Sequence, residues 1–307
     1  MNPADIDSFQ LELGGGGEAG LAAAIAIMMF AVALSLRTEH FSFFKQQPSI
    51  YLAGVFGQII GLPLLTLGLC FLIQPIPSVA LGMILVSCCP GGSVSNILAL
   101  FGRANTALSV SLTATSSLFA AFITPISILF WSSLYPPTNN LLTEINLDVV
   151  SFLSQTLIIL ALPLIIGMLI ARFTPRIAEK LQKPLAILGA GLLMLVIIVA
   201  TWQFAPVYLA LGLELIGLVV IHNSCAFALG YLFACIVKAD IPARRAITLE
   251  VGIQNSGLGL VILLTQLNGL GGAGAIAGAW GVWHIIGGSA LVALFRWQDK
   301  RKGKAHV

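Results

Sequence analysis

Cys88-Cys89-Pro90-Gly91-Gly92-Ser93-Val94-Ser95-Asn96 lies in the middle of an apolar stretch covering about residues 78–101. Proline lacks a backbone N–H and fixes φ, and the two glycines after it favour no helix, so a helix entering this stretch breaks there. Glu250-Val251-Gly252-Ile253-Gln254-Asn255-Ser256-Gly257-Leu258-Gly259 poses the same problem inside the apolar stretch 243–265. It combines three glycines with a carboxylate, two amides and a hydroxyl. A broken backbone exposes N–H and C=O groups that lipid cannot satisfy, so both breaks must be buried in protein or face a polar cavity.

Lipid is the relevant solvent because the 307-residue chain is 58% hydrophobic and only 9% charged. A soluble domain carries roughly 25% charged residues. A net charge of +3 supplies no basic stripe for nucleic acid. The five cysteines show no disulfide-framework spacing; Cys88 and Cys89 are adjacent, and Cys70, Cys225 and Cys235 read as small core hydrophobes. No His/Cys/Asp cluster has metal spacing, no phosphate loop is present, and no nucleophile–base pair suggests an enzyme.

A membrane-spanning helix needs about 20 apolar residues, and nine stretches qualify: 19–36, 48–73, 78–101, 105–134, 145–171, 184–203, 207–237, 243–265 and 273–296. With the N-terminus outside, all 15 Lys and Arg fall in the inward segments. The outward segments carry Asp5, Asp7, Glu12, Glu18, Glu144 and Asp148 instead. This is the positive-inside pattern. The acidic, glycine-rich N-terminus is no signal peptide and is expected to be a short disordered tail. No transit peptide is evident, so the expected location is an inner (plasma) membrane, with the C-terminus cytoplasmic.

Under this map the two broken stretches run in opposite directions, one in each half of the chain, as in inverted-repeat transporters. Spans 1–4 would pair with spans 6–9, leaving span 5 without a partner. Glu250 carries a charge at depth, with no Lys or Arg deep in any span to balance it, so it either holds a proton or holds a cation. Ser95, Asn96, Ser109, Thr113, Gln254 and Asn255 add neutral oxygens, and hard cations prefer an all-oxygen shell. One carboxylate among neutral oxygens suits a monovalent cation such as Na⁺. Ser109 and Thr113 are four apart and share a helical face. Glu214 reads as structural, and His222 and His284 as core histidines unless a site claims them.

At these residues the chain resembles the bile acid:sodium symporter family. The stretches 88–96 and 103–110 resemble its first crossover motif, and 250–257 its second. Trp283-His284 with Gly288-Ser289 resembles its last helix. The resemblance implies an all-α membrane transporter in a nine-helix form, with the two broken helices crossing near the midplane. It implies a panel domain (19–46 and 143–205), a core domain (47–142 and 206–296), an outer tail (1–18) and a cytoplasmic basic tail (297–307). It further implies two Na⁺ sites: Ser95, Asn96, Ser109, Thr113 and Glu250 for the first; Gln58, Glu250 and Gln254, with backbone carbonyls near Val251 and Ile253, for the second. Ser93, Asn255 and His284 would face the substrate cavity. Ile285 stands where the family often has Asn, which removes an amide from that wall. The expected activity is sodium-coupled symport of an organic anion by alternating access, with no obligatory protein partner. The alternatives are a proton-coupled or uncoupled permease of the same fold, with Glu250 as proton carrier, and a membrane enzyme or sensor.

Overall fold

The structure is a computed structural model that describes residues 3–11, 15–37 and 42–304. It is nearly all helical. Among the described residues, six helical stretches are long and apolar enough to cross a membrane: Pro48–Ile73, Thr106–Ser133, Val149–Phe173, Pro175–Gln203, Ala205–Ile236 and Gly271–Arg301. Three shorter apolar helices, Ala19–Ser35, Pro77–Ser87 and Ser256–Gln266, overlap the expected spans 1, 3 and 8. The chain is an integral membrane protein.

In chain order the helices are α1 (Pro3–Ser8), α2 (Gly15–Ser35), α3 (Ser42–Gln46), α4 (Pro48–Phe56), α5 (Leu62–Ile73), α6 (Pro77–Ser87), α7 (Ser93–Phe101) and α8 (Thr106–Ser133). They continue as α9 (Pro136–Glu144), α10 (Val149–Phe173), α11 (Pro175–Gln203), α12 (Ala205–Ile236), α13 (Ile241–Gly252), α14 (Ser256–Gln266) and α15 (Gly271–Lys304). A π-helical turn at Gly57–Gly61 joins α4 to α5 in one continuous rod. α11 starts well before residue 184 because its basic first turns remain helical beyond the apolar stretch, and α15 likewise continues through the basic residues to Lys304.

α2, α10 and α11 pack on one another. Their remaining faces carry exposed Ile158, Leu162, Ile165, Ile187, Leu195 and Ile198, as a lipid-facing surface requires. α12 packs along α13, and α15 along α6 and α12. The two groups meet where α2 and α11 pack against α14, α10 against α8, and α11 against α15. α12 bends at Gly212, whose φ of 51° is open to glycine and strained for other residues.

The N-terminal segment corrects an expectation. Residues 3–11 are ordered against the protein, not disordered. Ile6 is buried, Leu11 N–H donates to the Gly269 carbonyl at 3.0 Å, and Gly271 N–H donates to the Phe9 carbonyl at 2.8 Å. Asp7 Oδ1 accepts from Ser78 N–H at 2.8 Å and so caps α6, whose own N-cap, Ile76, has no side-chain acceptor. The run of four glycines drove the expectation of disorder, but the anchoring residues lie upstream of it.

Both expected breaks are present, and each satisfies the other. Residues 88–92 leave the helix after α6, and Gly92 is extended (φ −92°, ψ 143°). Residues 253–255 do so after α13, with Ile253 at φ −123° and ψ 103°. The two extended pieces lie antiparallel, with Gly91 opposite Gln254. Gly92 N–H donates to the Ile253 carbonyl at 3.2 Å, and Asn255 N–H donates to the Pro90 carbonyl at 2.8 Å. Backbone groups freed by one break are thus partnered by the other, as a low-dielectric surrounding demands.

Candidate functional site

Around this crossing the helices α7 and α14 begin and α6 and α13 end. Two helix N-termini, with their free N–H groups, and two C-termini, with their free carbonyls, therefore converge. Asn255 Oδ1 caps α14 by accepting from Leu258 N–H at 3.0 Å. Gly91 N–H donates to Ser116 Oγ at 3.1 Å. Gly91 lets the site close tightly: a Cβ there would stand 2.2 Å from Glu250 Oε1 and 2.7 Å from Gln58 Nε2, so those side-chain ends would have to shift.

Glu250 is fully buried near the end of α13. Its Oε2 accepts from Ser95 Oγ at 2.7 Å and Ser109 Oγ at 3.0 Å, and its Oε1 from Thr113 Oγ1 at 2.6 Å. Asn96 Oδ1 stands 2.8 Å from Ser109 Oγ and 3.3 Å from Thr113 Oγ1. Ser95 Oγ also lies 2.8 Å from the Gly92 carbonyl. Each hydroxyl has one proton to donate, yet each stands within hydrogen-bond distance of at least two acceptors. The cluster therefore holds more lone pairs than protons around one carboxylate. The nearby buried cation, Arg245, does not serve it. Arg245 binds Asp299 through Nη1 and Nη2 at 3.0 and 2.6 Å and caps the carbonyls of Gly102 and Phe295. All five residues expected for the first cation set meet here, and an oxygen-only, proton-poor shell is what a small hard cation takes.

The second set is brought together more loosely. The π-helical turn carries Gln58 toward the second break; π turns inside helices often mark functional positions. Gln58 Nε2 lies 3.4 Å from both the Glu250 carbonyl and Gln254 Oε1. Gln254 Nε2 donates to the Val251 carbonyl at 2.9 Å. The Ile253 carbonyl takes the crossing bond from Gly92. Gln58 Oε1 is buried with no hydrogen-bond partner, an orphaned acceptor on a side chain whose Nε2 stands by the Glu250 carbonyl. Such an atom fits cation ligation. Among the described residues no cluster of His, Cys, Asp and Glu could hold a transition metal.

The residues expected at the substrate face are not linked to one another. Ser93 is exposed at the start of α7. Asn255 is half-buried and, besides capping α14, places its Nδ2 3.5 Å from Met28 Sδ of α2. His284 is buried in α15, with Nδ1 unpartnered. The side chains of Ser116 and Asn223 also hold the crossing, yet carry no motif of their own. Ser116 lies three residues after Thr113 on one face of α8, which is the sequence signal that finds it.

The chain matches the description of the sodium bile acid symporter family over residues 22–211. It is 31% identical to the uncharacterized sodium-dependent transporter YocS of Bacillus subtilis, over 91% of this chain and 83% of the relative. It is 29% identical to a chloroplastic protein of Arabidopsis thaliana named as a sodium/metabolite cotransporter, over 89% of this chain and 65% of the relative. It is 27% identical to the ileal sodium/bile acid cotransporter of Homo sapiens, over 76% of this chain and 66% of the relative. The chain thus spans just under two thirds of the plant and human relatives. These matches and the crossing of two broken helices agree: the chain belongs to the sodium bile acid symporter family, whose members matched here are sodium-dependent membrane transporters and not enzymes.

Proposed function

We propose that this protein is a sodium-coupled symporter of an organic anion, working by alternating access across nine membrane crossings. The observation that carries the proposal is the proton-poor oxygen cluster on Glu250. One Na⁺ among Ser95, Asn96, Ser109, Thr113 and Glu250 balances the buried charge. A second, near Gln58, Gln254 and the Val251 and Ile253 carbonyls, uses the orphaned Gln58 oxygen. The nine crossings are six long helices, the shorter α2, and the two broken pairs α6–α7 and α13–α14. The one-sided distribution of Lys and Arg supports an outer N-terminus and an inner C-terminus in a plasma-type membrane.

The substrate binds beside the cations, where the N-termini of α7 and α14 present N–H groups to a carboxylate or sulfonate. Ser93, Asn255 and His284 form its wall when α2, α10 and α11, as a panel, tilt against the remaining helices. The approach of Asn255 Nδ2 to Met28 Sδ of α2, at 3.5 Å, supports this reading. Without bound cations Glu250 repels an anion; with them the site is neutral or positive, so cation and anion enter together. Two Na⁺ with one monovalent anion move a net positive charge, which a potential of 100 mV drives by about 2.3 kcal/mol.

The test is uptake into proteoliposomes of a panel of labelled anions, from bile acids to short oxo-acids, under separate Na⁺, K⁺ and pH gradients. Uptake driven by Na⁺ with inward current is the expected result. Uptake that follows a pH gradient and ignores Na⁺ assigns Glu250 to proton carriage instead.

A further inference from the structure

His222 and Asn223 are polar, lie near the middle of α12 and are fully buried, and neither the cation ligands nor the substrate wall uses them. Buried polar groups in a membrane protein are costly and are usually retained for a purpose. Neighbours on a helix point about 100° apart, so this pair reaches two different partners.

Asn223 Nδ2 donates to the Gly252 carbonyl at 2.8 Å. Gly252 is the last residue of α13, and its carbonyl has lost its helical donor, because Ser256 N–H turns to the Gln254 carbonyl at 3.0 Å. Gly252 lies between Val251 and Ile253, whose carbonyls belong to the second proposed cation site. α12 sits flush against this point: a Cβ on Gly252 would stand 2.0 Å from the Phe227 ring.

His222 reaches the rod that carries Gln58, eight residues beyond it. Its Nε2 lies 2.7 Å from Thr66 Oγ1, which itself donates to the Leu62 carbonyl at 2.8 Å. The threonine hydroxyl therefore accepts from His222 Nε2–H, which assigns the tautomer from the network. Thr66 is on α5, the continuation of the π-helical turn that carries Gln58. The imidazole is held from behind by Trp280, with ring centroids 4.4 Å apart in an edge contact. Adjacent residues of one helix thus hold the α13 break directly, through Asn223, and the rod bearing Gln58 two turns beyond that residue, through His222 and Thr66.

We infer that His222 and Asn223 are positioning residues of the second cation site, setting the gap between Gln58 and the 251–254 backbone without touching the ion. This rests on the two-cation assignment made above. Removing groups that orient ligands typically costs 10- to 100-fold in metal affinity.

The experiment uses the full chain in detergent and titrates Na⁺ alone against thermal unfolding, with K⁺ at equal ionic strength as control. Asn223→Leu keeps the volume and removes the donor. Thr66→Val removes the hydroxyl that His222 needs, and Thr66→Ser returns it. The expected result is a rise of about tenfold in half-saturating Na⁺ for Asn223→Leu and a shallower curve, as loss of one of two sites requires. Thr66→Val moves the same way by a smaller factor, and Thr66→Ser returns to the wild-type midpoint. A merely structural pair would lower the melting temperature without Na⁺ and leave the Na⁺ midpoint unmoved, which overturns the inference. If Asn223→Leu does not fold, the Thr66 pair decides alone. A wild type indifferent to Na⁺ ends the two-cation assignment and this inference together; a responsive wild type matched by equally responsive variants ends only this inference.

Discussion

In the first broken helix the interruption is made of backbone: Pro90 removes a donor, and Gly91 and Gly92 leave no side chains at the crossing. In the second there is no proline; residues 253–255 carry Gln254 and Asn255, and Glu250 stands one turn earlier. The space missing from the first arm is filled by the second, since a Cβ on Gly91 would meet the Glu250 carboxylate at 2.2 Å. One arm makes room and lends hydroxyl and amide oxygens from the helix that follows. The other arm brings the charge. The comparison explains why two segments of such different composition form one site: each supplies what the other lacks, in backbone hydrogen bonds as well as in side chains.

The largest effect expected from breaking this division of labour comes from the charge. Glu250→Gln keeps the shape but removes the carboxylate, and Na⁺-dependent stabilisation should disappear in a thermal titration, with the fold intact by circular dichroism. Next comes the space. Gly91→Ala forces a methyl into a bonded carboxylate and amide, and overpacking of this kind costs about 1–3 kcal/mol. Lower melting temperature and weaker Na⁺ response should appear together; an unchanged Gly91→Ala protein would show that the close approach does not matter. A smaller change follows from thinning the shell. Thr113→Val removes the 2.6 Å hydrogen bond to Glu250 Oε1, and half-saturating Na⁺ should rise about tenfold, or about 1.4 kcal/mol.

Much of this was legible in the sequence, for identifiable reasons. Apolar runs near bilayer length marked the spans, and Pro90-Gly91-Gly92 marked a break that no neighbour could repair within the same helix. Ser109 and Thr113 shared a face by spacing alone. Other parts depend on partners far along the chain. Gln58 belonged to the site only through family resemblance, because a π-helical turn leaves no pattern that apolar periodicity detects. The docking of the N-terminal segment hangs on Asp7 meeting Ser78, and the bond of Asn223 to Gly252 joins two helices; neither has a local signature. The substrate wall was the least legible, since Ser93, Asn255 and His284 share no hydrogen bond that would fix them as one surface.

The smallest expected effect lies outside both arms and serves as a control. Asp148, at the start of α10, accepts from the Ser151 hydroxyl at 2.7 Å and from the N–H groups of Ser151 and Val150. The Ser151 hydroxyl and N–H, helped by Val150 N–H, hold its carboxyl below the usual carboxylate range. A lowered folded pKa gives stability that is present above the unfolded value and is lost as pH falls through the folded one. Asp148→Asn should therefore soften the acid limb of the stability profile slightly and leave the Na⁺ midpoint where it was. A moved midpoint would mean that the outer end of α10 is coupled to the crossing.

The most direct test of the central claim is Na⁺ titration of the purified wild type beside Glu250→Gln, read as melting temperature, with K⁺ and choline at equal ionic strength. A ligand that binds only the folded state raises apparent stability by mass action. Saturable, Na⁺-selective stabilisation in the wild type and none in Glu250→Gln is the predicted result. Equal melting temperatures in the three salts, or a Na⁺ response that survives in Glu250→Gln, would contradict a cation site built on that carboxylate.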